Sequence, residues 1–96
     1  MQVEIITPES KIFAGEAVAV QFPGLDGSFQ VLSNHAPIIS ALSGGDLKLD
    51  LETAFDATDK TSELIQKDKA DNKVIRVTIK GGVMEMLNNK VVILAE

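Results

Sequence analysis

The chain has 96 residues, of which 45% are hydrophobic and 24% charged, a formal net charge of −5, and no cysteine, tryptophan or tyrosine. A chain of this length accommodates one domain around a single core. Its acidity and its lack of large aromatic platforms argue against binding to nucleic acid or an anionic lipid surface, and zero cysteines exclude disulfides and thiolate metal sites. The longest strongly apolar run, Val91 to Ala95, is far shorter than the roughly 20 residues of a membrane-spanning helix.

Alternation of apolar and polar residues predicts several short strands, each with one buried face. Pro8 ends the first of them, and Pro23-Gly24 provides a turn after the second. The segment 38–42 is too short to assign to either type of element. The predicted strands, in chain order, cover residues 2–5, 17–22, 28–31, 46–52, 75–80, 83–87 and 90–94.

The end of the chain carries the clearest turn signals. Gly81-Gly82 follows one strand, and Asn88-Asn89 separates the last two, as expected for a tight hairpin whose turn residues adopt positive φ. Many short strands punctuated by Gly, Pro and Asn, without a convincing long helix, predict an all-β chain folded as a β-sandwich or flattened barrel.

Residues 53–73 interrupt this rhythm, because apolar residues thin out and acids nearly balance lysines. One interpretation is a short helix, capped by Asp59 or Thr61 and stabilised by an i,i+4 pair between Glu63 and Lys67. The charge mixture favours the other interpretation, a polar loop between strands.

The sequence predicts no catalytic, cofactor-binding or metal-binding residues. His35 is the only histidine, and its closeness to Ser33 and Asp26 in a polar loop is too unspecific to indicate a catalytic triad. The glycine pairs lack the Gly-Lys-Ser/Thr sequence of a phosphate-binding loop, and His35 has only ubiquitous carboxylates beside it as further metal ligands. Taken alone, His35 is interpreted as a turn residue that hydrogen-bonds nearby backbone.

Three blocks of sequence occur in a characteristic order and spacing. The first is Ile6-Thr7-Pro8-Glu9 with Phe13-Ala14-Gly15-Glu16. The second runs from Pro23-Gly24 through Asp26-Gly27 to His35-Ala36-Pro37-Ile38-Ile39 and Ala41-Leu42. The third is Gly81-Gly82-Val83 with Glu85, Asn89, Val91 and Val92-Ile93-Leu94-Ala95-Glu96. Together they extend over most of the chain and resemble the epsilon subunit of rotary proton-translocating ATP synthases.

The resemblance implies a ten-stranded flattened β-sandwich, with 1–96 as a single domain and 53–73 as an insertion. It also implies a non-catalytic central-stalk subunit that binds gamma and the c-ring, couples proton flow to ATP synthesis, and needs no cofactor. Such a subunit is held peripherally, through its complex, at the cytoplasmic face of the cell membrane, and its isolated chain is expected to be a monomer.

The resemblance also assigns site residues by position. The gamma-facing side is expected to use exposed apolar or small groups, with Thr7 and Ser40 as candidates for its edge. The residues that fall where relatives contact the c-ring are Asp26, Gly27, Ser28, Asn34 and His35. The last assignment replaces the turn interpretation of His35.

This sequence departs from the family pattern at several positions. Ser28 stands where an acidic residue is common and Gln30 where glycine is common, so a salt bridge to the c-ring is not expected. Ser33-Asn34 replaces the usual Pro-Gly, although Asn also accepts positive φ. Longer relatives continue into a C-terminal helical hairpin that inhibits hydrolysis or binds ATP; its absence from 1–96 leads to the expectation that this chain does neither.

Two other functions remain as alternatives. A free-standing β-sandwich adaptor could bind a peptide or protein partner, but four Phe and no Trp or Tyr leave few aromatic anchors for such recognition. A small hydrolase would require a cleft that contains His35 with an oriented nucleophile.

Overall fold

The computed structural model describes residues 1–96 as nine β-strands without a helix. The strands are β1 (Gln2–Ile6), β2 (Lys11–Gly24), β3 (Gly27–Leu32), β4 (Ile38–Leu42), β5 (Gly45–Leu51), β6 (Ile65–Lys67), β7 (Val74–Ile79), β8 (Gly82–Leu87) and β9 (Lys90–Ala95). The all-β prediction is therefore confirmed. The structure contains no helix with the length and hydropathy needed to span a bilayer.

One continuous hydrogen-bonded sheet folds into two layers. The first layer contains β4, β8, β9, β1 and the beginning of β2, and the second contains β3, the rest of β2, β5, β7 and β6. β1 and β9 pair in parallel, whereas the other pairs are antiparallel. At the far end of β2, Gly24 pairs with Leu42 of β4 and joins the layers a second time.

β2 belongs to both layers because it is 14 residues long and irregular in its middle. Its pairing with β5 shifts register between Ala17 and Ala19, which leaves Val18 47% exposed. Such a bulge bends a strand and increases its twist. The predicted strand over 17–22 therefore covered only the second half of β2. The structure has nine strands instead of ten, and this one long strand takes a place in each layer.

The core fills the space between the two layers. Its largest side chains include Phe22, which stacks on Phe29 with ring centroids 5.1 Å apart. No polar or charged side chain is buried, and no buried side-chain polar atom lacks a partner. The inward-facing residues are the apolar members of the alternating pattern that predicted the strands. Their burial between the layers therefore stabilises those strands.

Two asparagine turns have the backbone geometry that the sequence predicted. Asn88 and Asn89 connect β8 to β9 with φ values of 51° and 60°, as a two-residue type I′ hairpin requires. Asn34 has a φ of 68°, and its N–H donates a 2.7 Å hydrogen bond to Oδ1 of Asn89. The loop after β3 is thereby tied to the closing hairpin.

The helix considered for residues 53–73 does not form, so that prediction was wrong. Oγ1 of Thr61 accepts a 2.8 Å hydrogen bond from the N–H of Thr58, which is a local turn instead of a helix cap. Short polar side chains bond nearby backbone in this way and compete with helix formation. Lys67 lies in β6, an edge strand paired with β7, and makes no ion pair with Glu63.

Most of residues 53–73 are loop, but 65–67 form β6, which the loop interpretation did not include, and the segment is anchored to the sandwich. Phe55 packs against the core, with its ring centroid 6.3 Å from that of Phe13. Asp68 accepts a 2.7 Å hydrogen bond from Nη1 of Arg76 on β7 and two more from the N–H groups of Ala70 and Asp71. The Arg76 contact, followed by these backbone bonds, lowers the pKa of the Asp68 carboxyl below its ordinary value.

Candidate interaction surfaces

The outer face of the second layer is mostly polar, although Leu32 at the end of β3 is exposed there. A row of cross-strand neighbours crosses all five of its strands, and every member is polar or charged. Thr78, beside this row, donates a 2.6 Å hydrogen bond to Asp46. Antiparallel sheets with one solvated side usually have this composition. The row consists of Gln30, Gln21, Lys48, Arg76 and Gln66.

The outer face of the first layer is instead largely apolar. Ile39, on β4, is 70% exposed, and four of the eight exposed large hydrophobic residues of the chain lie on this face. Monomeric proteins rarely expose a contiguous apolar patch of several strands unless a partner covers it. We call this surface the apolar face; it is formed by Ile6, Ile39, Ala41, Val83, Leu87, Val92 and Leu94.

The pairing registers make the apolar face continuous. Ala41 lies beside Val83, Val83 beside Leu94, and Leu94 beside Ile6, so one uninterrupted apolar row crosses four strands. The hairpin end of the layer is more polar, because Leu87 there neighbours Lys90. The face therefore grades from apolar at one end to polar at the other.

Two carboxylates interrupt the apolar face, and their surroundings differ. Glu4 forms an ion pair with Lys90 at 3.6 Å. Glu85 makes no ion pair and no side-chain hydrogen bond with the chain, and its cross-strand neighbours are Ile39 and Val92. Glu85 thus stands as an unpaired charge between aliphatic side chains.

The first group of c-ring candidates lies in the turn between β2 and β3. Gly27 has a φ of 119°, which only glycine adopts readily, and it allows the turn to return directly into β3. Asp26, Gly27 and Ser28 line a shallow depression of about 360 Å³, which also includes Ser40 and Ala41 of β4. Asp26 and Ser28 are exposed.

The second group lies at the opposite end of β3. Asn34 and His35 follow that strand, whereas Ser28 is near its beginning, and a strand of six residues spans roughly 17 Å. His35 is exposed, and its Nδ1 lies 2.6 Å from the carbonyl oxygen of Ala36, to which it donates a hydrogen bond. The structure therefore separates the five candidates into two groups.

The two gamma candidates lie on opposite sides of the first layer. Thr7 follows β1, and its hydroxyl is engaged in a local turn with the backbone of Ser10 at 3.1 and 3.2 Å. Ser40 belongs to β4, three inter-strand spacings away, or about 14 Å. Its neighbours Ile39 and Ala41 point outward onto the apolar face. Thr7 thus lies beyond the end of β1, and Ser40 points to the other side of β4, where it lines the depression at the turn between β2 and β3.

The sequence interpretation expected exposed apolar groups but did not locate the apolar face, although a signal for it was present. The run Val91 to Ala95 is apolar at every position, whereas a strand with one solvated side should alternate. A continuous run indicates a strand covered on both sides. In β9 the inward residues are buried, and Leu94 is 56% exposed.

The structure also contains no group of three or more His, Asp and Glu residues that could hold a metal ion.

Comparison with known proteins identifies the family of this sandwich. The model of the ATP synthase delta/epsilon chain β-sandwich domain matches residues 1–59, which is more than half of the chain. The chain belongs to this family. Strands β1 to β5 lie within the matched region, as do all seven candidate site residues.

Relatives match nearly the whole chain. The ATP synthase epsilon chain of Chlorobium limicola is 35% identical over 95 residues, covering 99% of this chain and 88% of the relative. That of Chlorobaculum tepidum is 36% identical, covering 97% and 85%. That of Salinibacter ruber is 35% identical, but this chain spans only 58% of its length.

The fold is also similar to a solved structure. The central stalk and c-ring structure of the Tetrahymena thermophila mitochondrial ATP synthase contains a chain that aligns with a TM-score of 0.64, covering 99% of this chain and 62% of that one. The two sequences are 19% identical. At this identity the similarity supports the fold.

Proposed function

We propose that this chain is a non-catalytic subunit of the central stalk of a rotary proton-translocating ATP synthase. In this proposal it binds the gamma subunit and the c-ring and contributes to coupling proton flow to ATP synthesis. Residues 1–96, including 53–73, act as one sandwich domain. The chain would be held at the cytoplasmic face of the cell membrane through the complex, without inserting into the bilayer.

The observation that carries the proposal is the apolar face. Its apolar row of Ala41, Val83, Leu94 and Ile6 exposes aliphatic surface that an isolated domain would keep in contact with water. Covering such a surface with a partner is favourable by about 25 cal/mol per Å² of buried apolar area, before the costs of association. We therefore assign the gamma subunit to the apolar face.

Transmission of torque also requires this kind of contact. An interface under load must resist sliding, and closely packed side chains with a polar rim resist it better than isolated polar contacts. The rigid scaffold behind the face suits this role, because its inward residues belong to one continuous core. Thr7 and Ser40 would lie at the margins of the contact.

The c-ring contact is proposed for the two loop groups at the ends of β3. Asp26, Gly27 and Ser28 form one group, and Asn34 and His35 form the other. Their exposure supports contact with a partner, and the hydrogen bond between Asn34 and Asn89 supports a preformed loop. Because about 17 Å separates the ends of the strand, alanine substitution at Ser28 and at His35 would test the two groups separately.

A binding experiment with the gamma subunit of the same source tests the proposal. We expect a stable one-to-one complex with the wild-type chain, detected by size-exclusion chromatography and titration calorimetry. The double variant V83D/L94D places two carboxylates in this apolar row and should weaken the complex at least about 100-fold, because charges buried without partners are unfavourable.

The matched control places two carboxylates on the outer face of the second layer instead. The variant Q30D/Q66D changes exposed positions on β3 and β6 and should bind gamma as the wild-type chain does. Thermal unfolding of both variants would establish that they fold. No binding by the wild-type chain, or equal weakening by both double variants, would contradict the assignment of gamma to the apolar face.

A further inference from the structure

Glu85 is the one position where the apolar face offers a charge that the chain itself does not neutralise. Its carboxylate points outward from the middle of β8, with Ile39 beside it on β4 and Val92 beside it on β9. The ion pair that Lys90 forms is with Glu4, at 3.6 Å. A partner that covers this face must therefore also cover an unpaired carboxylate.

Covering a carboxylate without a partner is costly, because removing a charge from water is unfavourable unless an opposite charge and hydrogen bonds compensate. The aliphatic residues around Glu85 contribute no donor. Hydrogen-bond donors of the chain share a depression with Glu85 on one side only, and none of them bonds its carboxylate; they are Gln2, Asn88, Asn89 and Lys90. A cationic group from the partner would satisfy the carboxylate in the complex.

We propose that Glu85 is the electrostatic anchor of the apolar face and accepts an arginine side chain of the partner subunit. This inference rests on the proposed function, in which that partner is gamma. An arginine fits better than a lysine, because its planar guanidinium can bond both carboxylate oxygens while its flat faces pack on Ile39 and Val92. Apolar neighbours exclude water from the pair once the subunits dock.

The shape of the surface agrees with an inserted side chain. Glu85 lines a small depression of about 210 Å³ together with Ile39, Val83, Val92 and Leu94. It also borders a second depression on the side of Pro37 and Leu87. The carboxylate thus stands between two shallow apolar hollows, each of which could receive the aliphatic stem of a long cationic side chain.

The test uses two substitutions at Glu85 and measures the dissociation constant for gamma by titration calorimetry. E85Q keeps the shape and removes the charge, and E85M makes the face wholly apolar. If an arginine docks on Glu85, both should raise the dissociation constant about 30-fold or more, since each leaves a buried guanidinium unpaired. E63Q, at an exposed carboxylate in residues 53–73, is the control and should bind normally.

The arginine is identified by a double-mutant cycle. Arginines of gamma are replaced in turn by glutamine, and the dissociation constant of each variant is measured with the wild-type chain and with E85Q. Replacement of the arginine that binds Glu85 should weaken binding to the wild-type chain strongly. The same replacement should weaken binding to E85Q by a factor at least about tenfold smaller. Equal or tighter binding by E85M would overturn the anchor while leaving the apolar face as the gamma interface. If the wild-type chain did not bind gamma at all, the proposed function and the anchor would both fail.

Discussion

The two outer faces of the sandwich follow from the same alternation of residues, yet one resembles an ordinary solvated sheet and the other an uncovered interface. On the second layer, the row from Gln30 to Gln66 places amides and charges in water. On the first layer, the row from Ala41 to Ile6 places aliphatic groups there. Alternation alone therefore fixes which residues share a face, whereas their chemistry shows which face a partner covers.

The difference also separates stability from assembly. The inward side chains of both layers stabilise the fold, and their replacement should act on the isolated chain. The outward side chains of the first layer contribute little to folding and should act on binding. For two adjacent residues of one strand, we therefore expect that replacing the inward one lowers stability and that replacing the outward one weakens binding.

The largest expected effect lies in β9. Ile93 is fully buried, and I93A should lower the free energy of unfolding by about 2–5 kcal/mol, because it leaves a cavity in the core. Leu94, its neighbour, is 56% exposed, and L94A should change stability by no more than about 0.5 kcal/mol. Urea unfolding followed by circular dichroism measures both values.

In binding to gamma, L94A should have the larger effect of the two substitutions and I93A the smaller. L94A should weaken the complex, whereas I93A, measured under conditions where it remains folded, should bind nearly as the wild-type chain does. A large loss of stability in L94A would mean that Leu94 is part of the core of the isolated chain. The contrast between the two sides of β9 would then disappear.

A smaller effect is expected where residues 53–73 attach to the sandwich. F55A removes the ring that packs against Phe13, and it should cost about 1–2 kcal/mol, less than the 3–5 kcal/mol of a fully buried phenylalanine. Leu64, which is 49% exposed in the same segment, provides the control, and L64A should be nearly neutral. If F55A were also neutral, the segment would not be anchored by packing.

The hairpin turn of the first layer allows a more precise comparison. N88A and N89A both place alanine at a positive φ, which costs about 1–2 kcal/mol. Only N89A also removes the acceptor for the N–H of Asn34, and it should therefore cost about 0.5–1 kcal/mol more. Equal stabilities in urea unfolding would show that the link between the two loops contributes nothing.

Local patterns in the sequence predicted much of the fold. The strands that became β5 and β7 and the Asn88-Asn89 hairpin were predicted because each depends on alternation or on turn residues close together in the chain. The full length of β2 and the identity of β4 were not, since both are defined by pairing with distant strands. Residues 53–73 form no helix because their polar side chains bond local backbone instead.

The candidate sites were harder to derive for a physical reason. Where both alternating sets of a strand are apolar, as in β9, alternation cannot show which set points inward. The apolar face became evident only once the registers of β4, β8, β9 and β1 were known. In the same way, adjacency in sequence could not show that Ser28 and His35 lie at opposite ends of β3.

The smallest expected effect concerns the edge of the polar layer. The pKa of Asp68 is lowered chiefly by its hydrogen bond to Arg76, and then by the N–H groups of Ala70 and Asp71. A carboxyl whose pKa is lower in the folded than in the unfolded chain stabilises the fold above the unfolded value of about 3.8. That contribution should be lost as the pH falls through the lower, folded-state pKa.

Urea unfolding of the wild-type chain and D68N across this pH range measures the contribution. D68N should be less stable near neutral pH, and the difference should shrink as the pH falls below about 4. D59N is the control, because Asp59 makes no side-chain hydrogen bond or ion pair, and it should follow the wild-type profile. A difference between D68N and the wild type that stayed constant with pH would mean that Asp68 acts through its shape alone.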